Sequence, residues 1–328
     1  MSVRAVRVTA FGGPEVLKLE TIPKPTPKQG EVLIRVYSSG VNPCDTYIRR
    51  GDFSLSNVPP PFVTGLDGAG VVEEVGQGVT EFKAGDRVYI VGEYSGTCAD
   101  YTVAPVRNVA SLSDQLSFAQ GSSIGIPYYT AYKSLYTLGR ARPGETVLIH
   151  GASGAVGTAA IQIAVANGQR VLGTAGSEKG LELVKKLGAD QVFNHREEGY
   201  TDKILEATGG KGVDVILEML ANVNLDKDLD IVAFRGRVVI VGSRGNVEIS
   251  PNKSMVKEST VVGCGVFYLA NESEWTEIKA ALNAGQKVGW LVPVVAKEYR
   301  LEDVAQAHTD VINNSGTLGK LVVNVAGN

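Results

Sequence analysis

The sequence predicts an α/β fold in which a doubly wound, parallel-sheet domain is inserted into a β-rich one. Three observations carry this expectation. From Arg4 to about Ala104 the chain consists of short alternating or β-branched runs broken by Gly and Pro, the pattern of short strands and tight turns. From about Gly125 to Phe267 strand, glycine turn and helix repeat, which requires parallel strands whose helical crossovers cover both faces. From Tyr268 to Asn328 there remain two helical stretches and closing strands ending in KLVVNV, too little for a separate core, so they return to the first domain.

Each element has its own reason. The N-terminal strands are RAVRVTAF, EVLIRVYSSGV, GAGVVEEVG, DRVYIV and CADYTVA; between Val32 and Val41 apolar residues alternate and then run together, as in a strand entering a core. NVPPPF, from Asn57 to Phe62, is confined to a loop or a sheet edge because Pro has no N–H for a ladder. In the insert, TVLIHG precedes the helical AVGTAAIQIAVANG, and RVLGTAG precedes EKGLELVKKLG. QVFNH, helical TDKILEATGG, VDVILEML, helical LDKDLDIVA, GRVVIVGS and STVVGCGVF complete six strands.

Composition limits the function classes. The 328 residues suffice for about two domains. With 32 basic against 35 acidic side chains, a net charge of −3 and no basic block, nothing marks a nucleic-acid or anionic-membrane surface. Cys44, Cys98 and Cys264 are too few and too scattered for a disulfide framework or a four-thiolate zinc lobe, and fit a reducing compartment. No apolar run reaches the ~18 residues of a spanning helix, and the chain enters a strand directly after Met1, so a cytoplasmic location without membrane contact is expected.

The chemistry concentrates at one turn. Gly151-Ala152-Ser153-Gly154-Ala155-Val156-Gly157 follows a strand and opens a helix. A dinucleotide turn wants glycine where the chain turns, where the backbone nears a pyrophosphate, and where helix packs on strand; Ala152 takes the first place, Gly154 and Gly157 the others. Such turns also occur as plain packing. The preceding VLIH, the following helix with its anion-favouring N-terminus, and the six-strand run assign this one to cofactor binding through Ser153, Gly154, Ala155 and Val156.

The end of the second strand selects the dinucleotide. An NAD site places a carboxylate there for the ribose hydroxyls. Here stand Gly176 and Ser177, with Lys179 nearby and His195-Arg196 closing the third strand, so missing acid and available donors favour NADP. The alternative is that Lys179 and Arg196 are solvated charges at helix starts. Asn222 and Asn224 follow the fourth strand beside the point where strand order reverses, Val241-Gly242-Ser243-Arg244 follow the fifth, and Cys264-Gly265-Val266 the sixth, one row along the nicotinamide half of a cofactor. For Asn224 a helix-cap role before LDKDL stays open.

These residues resemble the medium-chain dehydrogenase/reductase superfamily, and within it the zinc-free NADPH:quinone oxidoreductases of the zeta-crystallin type. The resemblance covers essentially the whole chain, through FGGPEVLKLE, GVNPCDTYIRRG, GIPYYTAY, HGASGAVG, GTAGSEKG, FNHREE, EMLANVNLDKDL, VGSRG and GTLGKLVVNV; EMLANVNL and FNHRE are particular to the zeta-crystallin branch. It implies a GroES-like catalytic domain over 1–124 and 268–328 and a Rossmann NADP-binding domain over 125–267. It also implies an NADPH-dependent reductase of quinones, by one-electron, semiquinone-forming transfer or by two. Relatives with this architecture also reduce activated alkenes such as enals, and zeta-crystallins associate with AU-rich untranslated RNA. A slightly acidic chain without a visible stacking platform speaks against the RNA role. Family members form dimers or tetramers, and a Val-rich edge strand STVVGCGVF invites pairing with another copy, so a homo-oligomer is expected.

The resemblance also fixes the register of GVNPCDTY. Zinc-dependent members carry a metal-binding Cys directly after this Gly-Val and a His-Glu pair after a glycine in the next loop; here those places hold Asn42 and, in Gly65-Leu66-Asp67-Gly68, Leu66. No metal site is expected, since a catalytic zinc needs about three converging ligands, and His150, His195 and His308 have other places. Asp45 beside Cys44 disfavours a thiolate, so Cys44 is read as packing. By itself Tyr47 reads as a half-buried aromatic at a domain seam; with the resemblance it becomes a cofactor contact and hydrogen-bond donor in catalysis, with Asn42 as a neutral donor beside it. Arg49-Arg50 are either a solvated loop pair or an attraction for an anion at the cleft mouth. The chain departs from its relatives at Phe62-Val63-Thr64-Gly65, where they tend to carry Pro before the glycine, in the loop lining the acceptor side.

Overall fold

The structure, a computed structural model, describes residues 1–52, 58–92, 95–266, 272–313 and 316–326; Asn57, Phe267, Tyr268 and Asn328 lie outside the described residues. The N-terminal part forms β1 (Ser2–Val8), β2 (Leu17–Pro23), β3 (Glu31–Val41), β4 (Phe62–Val63), β5 (Asp67–Val75), β6 (Arg87–Val91), β7 (Tyr101–Pro105) and β8 (Val109–Ser111). The insert supplies β9 (Thr146–Ile149), β10 (Arg170–Ala175), β11 (Gln191–Asn194), β12 (Val213–Glu218), β13 (Val232–Ile240) and β14 (Thr260–Gly263), before β15 (Val295–Arg300) and β16 (Lys320–Asn324). Helices are α1 (Pro43–Arg50), α2 (Phe118–Gly121), α3 (Gly125–Tyr132), α4 (Ala155–Ala166), α5 (Glu178–Lys186), α6 (Tyr200–Ala207), α7 (Ala221–Ile231), α8 (Pro251–Lys257), α9 (Glu272–Val288) and α10 (Val304–Ile312).

Two large sheets result. The parallel sheet has the order β11-β10-β9-β12-β13-β14, reversing direction between β9 and β12. Successive residues of its strands point to opposite faces: Val147, Ile149, Val215 and Leu217 face α3, α4 and α9, while Leu148 and Ile216 face α6 and α7. Burial on both sides is why these strands read as unbroken apolar runs. The other sheet runs β15-β16-β3-β5-β6-β8, with β7 also paired to β3. Its central strand β3 pairs with β16 in the register Leu321 to Val41 and with β5 in the register Ser39 to Gly68, so the C-terminal strand does close the first sheet. The NVPPPF stretch contributes only the two-residue edge β4 on β1.

Three local features differ from the sequence reading. Beyond Val41 the chain forms α1 rather than a loop: Asn42 is the extended N-cap, Pro43 the first helical residue and Asp45 the returning acid of a capping box, and Gly51 closes the helix at φ 77°. Arg49 is therefore buried, its Nε donating to Gly12 O at 3.1 Å and its Nη1 lying 3.2 Å from His308 Nδ1, so it is no solvated loop charge. Asn224 lies inside α7, which starts at Ala221, and so does not cap it; the capping position is Leu220. Between β13 and β14 the chain adds α8, opened by Pro251 and not anticipated above.

Candidate active site

The turn after β9 has the geometry a pyrophosphate requires. Gly151 adopts φ 55°, and Gly154 is the extended N-cap of α4. A Cβ on Gly157 would lie 2.6 Å from Ala152 Cα and 2.6 Å from Gly151 O, so only glycine lets α4 pack this closely on the turn. Ala152 is fully buried and donates its N–H to Thr174 O at 2.8 Å, while Ser153 through Val156 stay half-buried, presenting backbone N–H groups at a helix N-terminus.

At the end of β10 three of the five candidates for the ribose end, Gly176, His195 and Arg196, meet. A Cβ on Gly176 would lie 2.6 Å from His195 Nε2 and 2.9 Å from Arg196 Nε, so imidazole and guanidinium both stand against this glycine. Partial burial, with His150 and Arg196 adding to it, lowers the His195 pKa and keeps the ring neutral at pH 7. Ser177 caps α5, accepting from Gly180 N at 3.2 Å, and Lys179 is exposed in its first turn. Cations and N–H donors thus stand at this strand end, where Gly176 and Ser177 take the place of a strand-end carboxylate and Glu178 follows, exposed, in the first turn of α5.

The strand ends form the expected row. Val241 N donates to Glu218 O at 2.8 Å, Ala221 N to Gly242 O at 2.9 Å, and Arg244 N to Asn222 Oδ1 at 2.8 Å, which ties the ends of β12 and β13 together. Ser243 and Arg244 are exposed, and Arg244 Nη1 reaches Ile312 O of α10 at 3.1 Å across the cleft. Cys264 N donates to Ile240 O at 2.8 Å, and Lys133 Nζ holds Gly265 O at 3.2 Å; Cys264, Gly265 and Val266 are half-buried. Asn224 Nδ2 donates to Glu218 Oε1 at 3.2 Å and its Oδ1 faces Tyr200 Oη at 3.5 Å.

Beneath Asn224 lies a buried charge cluster that the sequence reading did not assemble. His150 Nε2 is 2.9 Å from Asp228 Oδ1 and 3.6 Å from Glu218 Oε2. Burial pushes Glu218 up to about 7, and Asp228 reinforces that. Burial pulls His150 down, but Asp228 and Glu218 overcome it and its pKa is raised. The arrangement is a buried imidazole held between two carboxyl groups, Asp228 and Glu218.

On the facing side, the floor of the cleft is a second buried cluster. Asn42, 3% exposed, receives Lys320 Nζ at its Oδ1, and its Nδ2 donates to Asp67 Oδ1 at 2.8 Å and to Asp45 Oδ2 at 3.3 Å. Asp67 also accepts from Lys320 Nζ at 3.1 Å and from Ile126 N of α3 at 3.1 Å. Asn42, the N-cap of α1, thus has both ends of its amide engaged inside the protein. Tyr47, one turn further along α1, remains half-buried, with the Arg50 guanidinium 5.2 Å from its ring centre. Burial, and after it Asp45, holds the Cys44 thiol well above its usual range, so a thiolate is disfavoured.

These groups predict how stability varies with pH. Burial, reinforced by Asp67, pushes Asp45 up to about 7, as burial does for Glu218. A carboxyl whose folded pKa exceeds its unfolded value of about 4 stabilises the fold fully below that value and loses this as pH rises through about 7. His308 works in the opposite sense, because burial lowers it to about 3 and its contribution is lost only as pH falls below about 6.5. Between pH 6.5 and 8 the carboxyl losses, about 1 kcal/mol for each group, outweigh the small gain still due from His308, and His150, whose pKa is raised, loses in the same sense as the carboxyls. Differential scanning calorimetry should therefore show Tm falling over that interval; a rising Tm would contradict the assignment.

A glycine turn at the switch of a doubly wound sheet, facing a β-rich domain across a cleft, defines an oxidoreductase that works with a nicotinamide dinucleotide. Comparison with known proteins agrees. Residues 28–114 match the family described as alcohol dehydrogenase GroES-like domain, and residues 155–284 that described as zinc-binding dehydrogenase, a stretch that excludes Asn42 and Leu66. The chain is 50% identical over 322 residues to the quinone oxidoreductase of Homo sapiens, covering 98% of this chain and 97% of that one. It is 31% identical over 332 residues to a 2-haloacrylate reductase of a Burkholderia species, covering 98% of each. A mycobacterial protein whose structure was solved with NADPH superposes with a TM-score of 0.88 at 30% identity, covering 98% of this chain and 99% of that one. The chain belongs to the quinone oxidoreductase family of the medium-chain dehydrogenase/reductase superfamily.

Sequence reasoning missed Lys320, Asp67 and Lys133 as members of the site. The signals were present: a lysine opening the apolar strand KLVVN, and an aspartate between glycines in GLDGAG.

Proposed function

We propose that this chain is an NADPH:quinone oxidoreductase that works without zinc. The likeness to the human quinone oxidoreductase over nearly the whole chain supports the acceptor class. The Gly176, His195 and Arg196 corner, which lacks a carboxylate, supports NADPH over NADH. Ser153 to Val156 hold the pyrophosphate, Gly176 and His195 the ribose end, and Asn224, Val241 to Arg244 and Cys264 to Val266 line the nicotinamide half. The amide of Asn42, bonded to the Lys320 ammonium in the place of a zinc-binding cysteine, supports metal-free chemistry.

The bound nicotinamide supplies a hydride, and the protein supplies position and polarity. In this reading Tyr47 carries its phenol to the acceptor side, where the O–H donates to the oxygen that gains charge. The experiment is NADPH and NADH oxidation against ortho-quinones, para-quinones and enals, with cytochrome c reduction to separate one-electron from two-electron transfer. Absence of NADPH oxidation with every quinone sinks the reading. Turnover of enals in preference to quinones would favour the second reading, a reductase of activated alkenes, which the likeness to the 2-haloacrylate reductase supports.

Tyr47→Phe should lower kcat/KM by about 2- to 10-fold, the loss of one hydrogen bond of about 0.5–1.5 kcal/mol. Cys44→Ser should keep most activity in the same assay, and an equal loss in both variants would remove Tyr47 from its role. For assembly, the edge strand β14, with Thr260 and Val261 exposed along it, supports a homo-oligomer, dimer or tetramer, built by strand pairing between copies.

A further inference from the structure

The segment that enters β16 touches both sides of the cleft within two consecutive residues. Gly319 N donates to Ser153 O at 2.8 Å, and Gly319 forms a parallel bridge with Gly154, so this backbone is joined directly to the dinucleotide turn. Gly319 adopts φ 96°, and a Cβ there would lie 2.2 Å from Val294 O, so no other residue fits. The next side chain runs away from the turn. Lys320 Nζ donates to Asn42 Oδ1 and, at 3.1 Å, to Asp67 Oδ2.

Lys320 is 2% exposed, and a buried ammonium costs free energy that strand pairing does not require. Four main-chain positions of β16, Leu321 to Asn324, are already secured between β3 and β15. What the ammonium adds is a fixed Asn42. Asn42 is the N-cap of α1, its own N–H bonded to Asp45 Oδ2 at 2.7 Å, and α1 carries Tyr47. Asp67, the other partner of Lys320, holds Ile126 N, in the first turn of α3, where the chain passes into the insert. Two consecutive residues therefore link three places: the Gly319 backbone holds the turn assigned to the pyrophosphate, and the Lys320 side chain reaches the helix that carries the phenol and, through Asp67, the start of the insert.

We propose that Lys320 is the positioning residue that sets α1 and Tyr47 in register with a cofactor seated on the turn at residues 153–157. Lys320 acts through Asn42 and Asp67, and the inference rests on the reading of Tyr47 as a nicotinamide-side contact. It accounts for a buried cation bonded to Asn42, the residue that, by the register above, stands where zinc-dependent members of the superfamily have a metal ligand.

The test uses the full chain as wild type, Lys320→Met, and the double variant Lys320→Met with Asp67→Asn, which removes the ammonium together with the carboxylate it pairs with. Three quantities are read: the NADPH Kd by titration, the emission enhancement of the bound nicotinamide, and kcat with an ortho-quinone. The double variant is expected to bind NADPH within about threefold of wild type and to lose on the order of 100-fold in kcat, the effect of about 1 Å of misplacement at a reacting centre. Its nicotinamide emission should fall towards that of free NADPH. Wild-type kcat and emission in the double variant overturn the proposal, as does a loss confined to NADPH affinity. Should wild type turn over no quinone, the functional reading fails, while the emission measurement still decides the role of Lys320.

Discussion

Gly157→Val should abolish measurable NADPH binding and lower the melting temperature in the same variant. The atoms a Cβ would meet at this position are Ala152 Cα and Gly151 O, both at 2.6 Å, and Ala152 C at 2.7 Å. All three are backbone, so no rotamer change relieves the clash, and α4 must move off the turn. Overpacking of this kind costs about 1–3 kcal/mol. The displaced helix also carries away the N–H groups of Ala155 and Val156, so Kd should weaken by about 100-fold or more, about 3 kcal/mol. Gly154→Ala separates the two effects. Its Cβ would meet only Gly151 O, at 3.3 Å, so Tm should hold while affinity falls because the new methyl stands where the pyrophosphate approaches. Fluorescence titration and thermal unfolding of both variants check this, and unchanged NADPH affinity in Gly157→Val would remove the turn from cofactor binding.

The second large effect is on stability alone. Asp67→Ala leaves the Lys320 ammonium buried without its carboxylate and removes the acceptor of Asn42 Nδ2 and Ile126 N. Breaking a buried ion pair on one side costs about 3–5 kcal/mol, because the remaining charge stays desolvated. The packing leaves no room for water to replace the carboxylate easily: a Cβ on Gly40 would fall 2.3 Å from Asp67 Oδ1, and one on Gly125 2.7 Å from Asp67 Cβ. Asp67→Asn keeps acceptor and shape and should cost less. Urea unfolding read from C_m and m gives both values, and a loss below about 1 kcal/mol for Asp67→Ala would show that Lys320 finds another partner.

The cofactor half of the site was legible in the sequence because its determinants are local. Gly154, Gly157 and Gly176 stand at fixed offsets from strand ends, and a doubly wound sheet brings strand ends into one row. The facing half was legible only in part. Asn42, Pro43 and Asp45 spell a capping box, yet the alternating pattern before them drew the reading towards a strand ending in a loop, and α1 was missed. The ion cluster as an assembly was not legible, although Lys320 and Asp67 each stood out singly. Asn42, Asp67 and Lys320 come from the N-cap of α1, from β5 and from β16, separated in sequence by up to 278 residues, and no periodicity links positions so distant. Arg49 is the same lesson on a smaller scale, since its burial depends on His308 in a helix 259 residues away.

That separation bears on the order in which the protein is assembled. The parallel sheet is built from residues 146–263, contiguous in the chain, and its core is complete once α9 (Glu272–Val288) has followed them. The other sheet cannot finish until β16 arrives to pair with β3, across a span that includes the whole insert. Until Lys320 is in place, Asp45 and Asp67 share their pocket with no ammonium between them, and Asn42 lacks its partner. A nascent chain on the ribosome thus completes its dinucleotide half first and its catalytic floor last, so it can hold a nucleotide before it has a finished surface on which to use it.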